Sequence, residues 1–435
     1  MHRLLTNPLR TCGGVLFCMT TIHSATWGQQ FTPNYDEAAV AAYKLPDPLV
    51  NQTGLSVTDP ADWQQRRGEI LGLFQEHVYG VAPDPVPVHA TVVSTNNDAV
   101  DGKAIRREID LTLENEGKSL TLSLLLYTPA GATQPVPCFL GLNFHGNHTL
   151  ETDPSIRLPN TWVRSQPGGI TEDHRATDAG RGTRSKSWPV DLIVDQGYAL
   201  ATVYYGDIDP DFDDGFENGI HGLFQHWAKS IELNQRWGSI AGWAYGLSRV
   251  LDYLQTDPLV DGQRVAVVGH SRLGKTALWA GATDPRFKLV ISNNSGSGGA
   301  ALSRRVFGET VGRINTSFPH WFNQQFKRYN KQEGDLPVDQ HQLIALIAPR
   351  AVYVASATED RWADPRGEFL ACVHADPVYR LLGTNGLGGA VPPNELPPPD
   401  RPIAQGTIGY HLRTGPHALT QFDWLQYLRF AQDRL

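Results

Sequence analysis

The sequence is poor in cysteine, with four in 435 residues. Cys12 and Cys18 stand close to the N-terminus, and Cys138 and Cys372 sit alone in apolar surroundings. None has the Cys-x-x-Cys spacing of a zinc or redox site. Cys138 and Cys372 read as buried thiols, with a disulfide open as the alternative in an exported chain. Blocks of Lys and Arg are also lacking. The 37 basic residues are outnumbered by 45 acidic ones, for a formal charge of −8. Such a chain has no field that gathers nucleic acid or anionic lipid, which excludes both as partners. No stretch beyond the N-terminal region approaches the ~20 apolar residues of a membrane span. No internal repeat is visible, which sets repeat architectures aside.

What remains is an ordinary globular composition, 40% hydrophobic and 19% charged, with 42 Gly and 30 Pro. One large α/β domain or two medium ones would fit that length. Arg3 and Arg10 precede a weakly apolar stretch, Cys12 to Thr21, followed by small residues at Ser24, Ala25 and Gly28. This predicts a signal peptide over residues 1–28 and a secreted or periplasmic protein; a disordered cytosolic tail is the alternative. Residues 29–58, with scattered Pro, Asp and Asn, read as an extended arm. A single catalytic domain is expected over 59–435.

Asp59-Pro60 predicts a helix start, Ile70, Leu71, Phe74 and Val78 its apolar face, and Gly80 its end. Between 89 and 127 the period changes to two, with Leu120, Leu122, Leu124 and Leu126 on one face of an antiparallel strand. Apolar runs then alternate with helical stripes. Cys138 to Phe144, Tyr198 to Tyr204, Arg264 to Gly269, Leu289 to Ser292 and Ala351 to Ser356 read as buried strands. Ile240, Trp243, Ala244, Leu247, Val250, Leu251 and Leu254 mark one helix, and residues 273–282 another. The pattern predicts an α/β fold with a parallel sheet covered on both faces. Residues 383–402, rich in Gly and Pro, read as a long surface loop.

The segment Gly269-His270-Ser271-Arg272-Leu273-Gly274-Lys275-Thr276 lies between a strand and a helix, and two chemistries compete for it. It fits the phosphate-binding loop G-x-x-x-x-G-K-[ST] in full. On that reading Lys275 reaches a terminal phosphate and Thr276 holds magnesium. Its context is poor, because the next strand leads to Asn293-Asn294 and not to an acid. The alternative is a nucleophile elbow, which lifts Ser271 above the sheet and aims the N–H of Arg272 at an oxyanion. Gly269 then allows the helix to lie close to the strand. The spacing G-x-S-x-x-G departs from the commoner G-x-S-x-G, so partners decide. An elbow serine needs a base, and the base needs an acid that orients it. In this class of hydrolase the acid follows the serine and the histidine follows the acid. Asp360, in the loop after the strand 351–356, supplies the acid, with Glu359 as the neighbouring alternative. His417, in the turn-rich loop before the last helix, supplies the base. Ser271, His417 and Asp360 therefore predict acyl transfer on an α/β-hydrolase fold.

The strings GHSRLGKTALW, SNNSGSGG, LPVDQHQLIALIAPR and ATEDRWADPRGEF, in that order, resemble the glucuronoyl esterases of carbohydrate esterase family 15, and especially their bacterial branch. The resemblance runs from about residue 60 to the C-terminus. It implies a three-layer αβα sandwich with a mostly parallel central sheet and an active site on an open face. It implies hydrolysis of esters of (4-O-methyl-)glucuronic acid, as in the bonds that join glucuronoxylan to lignin alcohols. By position, Ser271 matches the nucleophile and His417 the base. The side chain of Arg272 is implied in binding the oxyanion, Lys275 in bonding sugar hydroxyls, and Glu309 and Trp362 in contacting the uronic acid. Two residues depart from the fungal pattern. His270 stands where fungal members have Cys, and Asn294 where they have the acidic Glu, so the acid has to come from elsewhere, as Asp360 does in bacterial members.

No cofactor or metal is expected. Asp207, Asp209, Asp211, Asp213 and Asp214 hint at calcium, but the Gly and Glu of an EF-hand loop are missing, and a solvated loop near the site is the preferred reading. His145 and His148 lack a third ligand and read as pocket wall. Trp227, Trp237 and Trp243 read as core. The expected partner is a glucuronoxylan or lignin–carbohydrate ester, bound by a monomer. An acetyl-xylan or similar deacetylase on the same fold is the nearest rival, a nucleotide hydrolase a distant one, and a silent carbohydrate-binding relative a third.

Overall fold

The carboxylate of Asp59 accepts hydrogen bonds from the N–H groups of Ala61 and Asp62 at 2.8 and 2.9 Å, and so starts helix α1, Pro60–Phe74. Trp63, Ile70 and Phe74 bury its inner face. The chain continues through a wide turn, Gln75–Tyr79, to Gly80 at φ +84°. A Cβ there would stand 2.3 Å from the Cα of Trp237, so only glycine fits. The computed structural model describes residues 31–389 and 395–435. The leader expected over 1–28 lies outside them, as do 390–394 of the loop expected at 383–402. The described part of that loop carries neither helix nor strand.

Nine strands form one sheet. In chain order they are β1 (Val88–Asp98), β2 (Ala104–Asn115), β3 (Lys118–Pro129), β4 (Val136–Asn143), β5 (Ala199–Tyr204), β6 (Val260–His270), β7 (Leu289–Asn293), β8 (Ala351–Ala357) and β9 (Ile408–Arg413). Their spatial order is β1-β2-β3-β5-β4-β6-β7-β8-β9. The first three pair antiparallel, and β3 meets β5 antiparallel; all remaining pairings are parallel. The period-two region thus resolves into three strands. Leu120 to Leu126 alternate cleanly only until the helical layer of Val190, Ile193 and Val194 covers the second face at Leu125 and Tyr127.

The helices that flank the sheet explain the unbroken apolar runs. Val190–Asp195 (α2) and Gln421–Ala431 (α6) cover one face; Ser239–Leu254 (α3), Arg272–Thr283 (α4) and Pro365–Leu381 (α5) cover the other. Along β6, Val265 and Val267 face one helical layer while Ala266 and Val268 face the other. On β8, Val352 and Val354 oppose Tyr353 and Ala355 in the same way. A strand buried on both sides has no polar face to alternate with. Cys138 and Cys372 are free thiols buried in the α3–α5 layer, and Trp237 and Trp243 are core residues with Trp227 packed against them. Residues 33–435 form one compact unit. Within it His341 Nε2 bonds the carbonyl of Pro46 at 2.8 Å, and Leu45 and Leu49 lie on the core. Among the described residues no helix is long and apolar enough to cross a membrane.

Candidate active site

Parallel strands end together, and here their carboxyl ends place β6, β7, β8 and β9 along one edge. Ser271 follows β6 at φ +57°, ψ −128°. Its N–H donates to the carbonyl of Asn293 at the end of β7 at 2.8 Å, and its own carbonyl accepts from Gly274 at 2.9 Å, the first bond of α4. A Cβ on Gly269 would stand 1.9 Å from the carbonyl oxygen of Leu273, so the elbow closes only on glycine. At the start of a helix the first N–H groups, that of Arg272 among them, have no partner inside the helix and are aimed at whatever binds there.

Asp360 follows β8 and His417 follows β9. His417 Nδ1 donates to Asp360 Oδ2 at 2.5 Å, and Asn294 Nδ2 donates to the same oxygen at 2.8 Å. Burial alone would raise the Asp360 carboxyl, but these two donors and the charge of His417 hold it below the ordinary range. Glu359 is exposed while Asp360 is buried, and it is Asp360 that meets His417. Backbone bonds stitch the two loops together: Thr358 N–H to Arg413 carbonyl at 2.9 Å and Glu359 N–H to Gly415 carbonyl at 3.0 Å. Arg413 donates to the carbonyls of Thr414, Pro416 and Ala418 on either side of His417.

Ser271, Arg272 and His417 line two cavities. One, of about 280 Å³, also contains Lys275, Glu309, Trp321, Trp362 and Asp360. The other, of about 350 Å³, is walled by Phe144, His145, Arg184, Trp188, His270 and Leu419. Every site residue named from the sequence is therefore in one place. Lys275 is buried; its Nζ donates to the carbonyl of Ser295 at 2.5 Å and faces Glu309 Oε2 at 3.4 Å. Burial pushes the Lys275 ammonium down, against the pull of Glu309. Thr276 is fully buried and gives its hydroxyl to the Arg272 carbonyl at 3.0 Å. With the Thr276 hydroxyl that would hold magnesium buried and spent inside the helix, the phosphate-loop reading is set aside.

The acidic loop needs a correction. Asp207, Asp209 and Asp211 are buried and not solvated. Asp207 accepts from Thr161 Oγ1 at 2.8 Å, and burial raises it to about 7; burial also raises Asp209, whose carboxylate stands 3.6 Å from His221 Nε2. Asp211 is the carboxyl at the site whose place the sequence did not reveal. Its Oδ2 accepts from Arg272, from Arg164 at 3.0 Å and from the Tyr205 hydroxyl at 2.9 Å; its Oδ1 accepts from His320 at 2.9 Å and Trp321 Nε1 at 2.8 Å. Burial opposes ionisation, but the His320 hydrogen bond, the Arg272 charge, Trp321 and Arg164 together hold this carboxyl well below the carboxylate range. The Arg272 guanidinium is further caged by Trp321, Phe318 and Phe144, with ring centres at 4.7, 5.4 and 5.6 Å. A second missed carboxyl is Glu368. It accepts from the N–H groups of Ser295 and Gly296 at 2.7 and 2.9 Å, and so steadies the carbonyl that takes Lys275. Among the described residues no group of three or more His, Cys, Asp or Glu stands close enough to hold a metal ion; His145 lines the larger cavity.

Known proteins share this architecture. A family model described as glucuronyl esterase of fungi matches residues 217–383. A carbohydrate esterase from an unknown prokaryotic organism is 48% identical over 432 residues, covering 98% of each chain. A promiscuous CE15 esterase from a marine bacterial metagenome superposes with TM-score 0.86 at 49% identity, over 93% of this chain and 100% of the other. A glucuronoyl esterase from Solibacter usitatus gives TM-score 0.83 at 44% identity, over 91% of this chain and 99% of the other.

Two outcomes are predicted. Asp360→Asn lowers kcat on any ester substrate by about 10³–10⁴-fold, because the amide no longer fixes the imidazole tautomer or balances its charge, whereas Glu359→Gln changes it less than about twofold. The second concerns acid stability. Asp211 and Asp360 have folded-state pKa values below that of an unfolded Asp, about 3.9. Their contribution to stability is present above that pH and is lost as pH falls through the folded values. Asp211→Asn should therefore flatten the acid arm of a Tm-against-pH curve, which calorimetry between about pH 2 and 6 measures.

Proposed function

The chain belongs to carbohydrate esterase family 15, and from that premise we propose that it hydrolyses esters of (4-O-methyl-)glucuronic acid by two-step acyl transfer. The observation that carries this reading is the meeting of a strained elbow serine, a His–Asp pair and a sugar-sized cavity that holds Lys275, Glu309 and Trp362, all at the carboxyl ends of the parallel strands. Ser271 is the nucleophile. His417 takes its proton as Oγ attacks the ester carbonyl, and Asp360 fixes the imidazole with Nδ1 protonated and balances its charge. Developing charge on the carbonyl oxygen is met by the Arg272 N–H at the start of α4 and by the guanidinium that Asp211 and the aromatic cage hold in place. The imidazolium then gives its proton to the departing alcohol, and water repeats the sequence on the acyl-enzyme.

Lys275, Glu309 and Trp362 are assigned to the uronic acid. A Lys–Glu pair offers both donor and acceptor to vicinal hydroxyls, and the indole offers an apolar face. The proposed natural target is the ester between a xylan side chain and a lignin alcohol. The protein is proposed to be exported through a leader at residues 1–28 and to act as a monomer through one domain at 59–435, with 29–58 as its arm. Hydrolysis of acetyl esters, as by an acetyl-xylan or other carbohydrate deacetylase on the same fold, is the alternative, and one structural relative is described as promiscuous. Acetyl transfer would need the triad but not the Lys275–Glu309 pair.

The test is hydrolysis of benzyl glucuronate and of acetylated xylan. The uronate ester should be cleaved rapidly, with Ser271→Ala losing at least about 10⁴-fold in kcat at unchanged Tm. Glu309→Gln should raise KM on the uronate ester about tenfold, the worth of one charged hydrogen bond, and leave 4-nitrophenyl acetate hydrolysis within about twofold. Acetate release without uronate cleavage would overturn the substrate assignment and leave Lys275 and Glu309 as structural residues.

A further inference from the structure

His270, the last residue of β6, has no part in the reaction as described so far. It lines the larger cavity with Ser271, Arg272 and His417. Its ring centre lies 4.5 Å from that of His417, with the planes tilted by 42°. The protons of this imidazole can be placed by following the hydrogen bonds beneath it. His270 Nδ1 meets Asn293 Oδ1 at 2.6 Å. The Asn293 Nδ2 group reaches Asp423 Oδ1 at 3.2 Å and the Tyr427 hydroxyl at 2.8 Å.

Asp423 decides the orientation. It is fully buried and accepts from His411 Nε2 at 2.9 Å and from the N–H and hydroxyl of Thr420 at 2.7 and 2.6 Å, with Arg413 Nε at 3.2 Å. Burial would raise its carboxyl, but the donors and charges of His411, Thr420 and Arg413 outweigh that and hold it ionised. An ionised carboxylate donates nothing. The amide end of Asn293 must therefore face Asp423, its carbonyl must face His270, and the proton of His270 must sit on Nδ1. Burial, with the adjacent His417, pushes the His270 imidazole down to about 3, so it carries a single proton. Its Nε2 is left as a bare lone pair, with no donor among the described residues.

A bare acceptor beside the catalytic base is useless to the departing alkoxide, which needs a proton. It suits the water that comes next. That water enters the space the alcohol has left. One of its hydrogens goes to His417, and the other needs an acceptor if the oxygen lone pair is to point at the acyl carbon. We propose that His270 Nε2 accepts this second hydrogen and orients the hydrolytic water. In the step, the water oxygen bonds to the acyl carbon of Ser271 while one water proton passes to His417 Nε2. The tetrahedral adduct collapses by breaking the carbon–Oγ bond, and His417 returns that proton to Ser271 Oγ. His270 ends as it began. Two imidazoles this close can share one water at ordinary hydrogen-bond distances of about 2.6–3.2 Å.

The inference rests on the serine-esterase reading above, and its test separates the two. Stopped-flow release of 4-nitrophenol from the 4-nitrophenyl ester of glucuronic acid resolves acylation as a burst and deacylation as the steady rate. His270→Leu, in the full chain, should show a burst near one equivalent and acylation within about threefold of the parent. Its steady-state kcat should fall about 10- to 100-fold, the scale of a misplaced reactant. KM should fall with it, leaving kcat/KM nearly constant. His270→Gln, whose amide oxygen can still accept, should recover most of the loss. Acylation and deacylation slowing together, or an unchanged kcat, would overturn the proposal. Imidazole nitrogen resonances of the unmutated protein test the tautomer directly, and a proton on His270 Nε2 would also overturn it. Failure of the unmutated protein to release nitrophenol would instead refute the esterase reading.

Discussion

A residue with a side chain held at φ +57° costs roughly 1–3 kcal/mol, and it persists only where its surroundings leave no other choice. Ser271 is held there from three sides. Its N–H is tied to Asn293 on the next strand, its carbonyl opens α4, and Gly269 lets the Leu273 carbonyl approach more closely than any side chain would permit. The bond to Asn293 exists because β6 and β7 are parallel and in register, His270 opposite Asn293. The serine is thus held at the cavity by the same sheet geometry that lines up Asp360 and His417 beyond it. Relaxing that one turn would move Ser271 out of line with Asp360 and His417.

Around the elbow the charged groups follow one rule: each carboxylate that has to stay ionised out of water is surrounded by donors. Asp211 gathers Arg272, Arg164, Tyr205, His320 and Trp321; Asp360 gathers His417 and Asn294; Asp423 gathers His411, Thr420, Arg413 and Asn293. Burying such charges is expensive unless every lone pair is satisfied. In return the carboxylates set positions. Asp211 fixes the Arg272 guanidinium beside Ser271, Asp360 holds the ring of His417, and Asp423 fixes an asparagine amide and, through it, the proton of His270. Lys275 follows the complementary logic, as a buried ammonium anchored on a carbonyl and facing Glu309.

Much of this was legible in the sequence, for local reasons. Strands buried on both faces leave continuous apolar runs, as at 138–144 and 351–356, and the elbow and Asp360 each sit just past such a run; the strand before His417, with the sequence IGYHLR, leaves none and was not legible. Glycines at 80 and 269 marked turns that no other residue can close. The parts that were not legible depend on distant partners. Four of the five donors to Asp211 lie 47 to 110 positions away, and nothing in the run Asp207 to Asp214 separates a buried hub from a solvated acidic loop. The string ending at Lys275-Thr276 fits a phosphate loop letter for letter; the burial of the Thr276 hydroxyl against the Arg272 carbonyl distinguishes the two. Glu368 looks like an ordinary helix residue until Ser295 and Gly296 are seen to point their N–H groups at it.

The central claim is that a glucuronate ester is opened by covalent attack from Ser271. Acid-quenched mass spectrometry within the first turnover of the 4-nitrophenyl ester of glucuronic acid, followed by peptide mapping, tests it most directly. The account predicts a glucuronoyl adduct on the peptide that carries Ser271, absent when Ser271 is Ala. An adduct on another residue, or turnover with no covalent intermediate even at the shortest quench times, would contradict it.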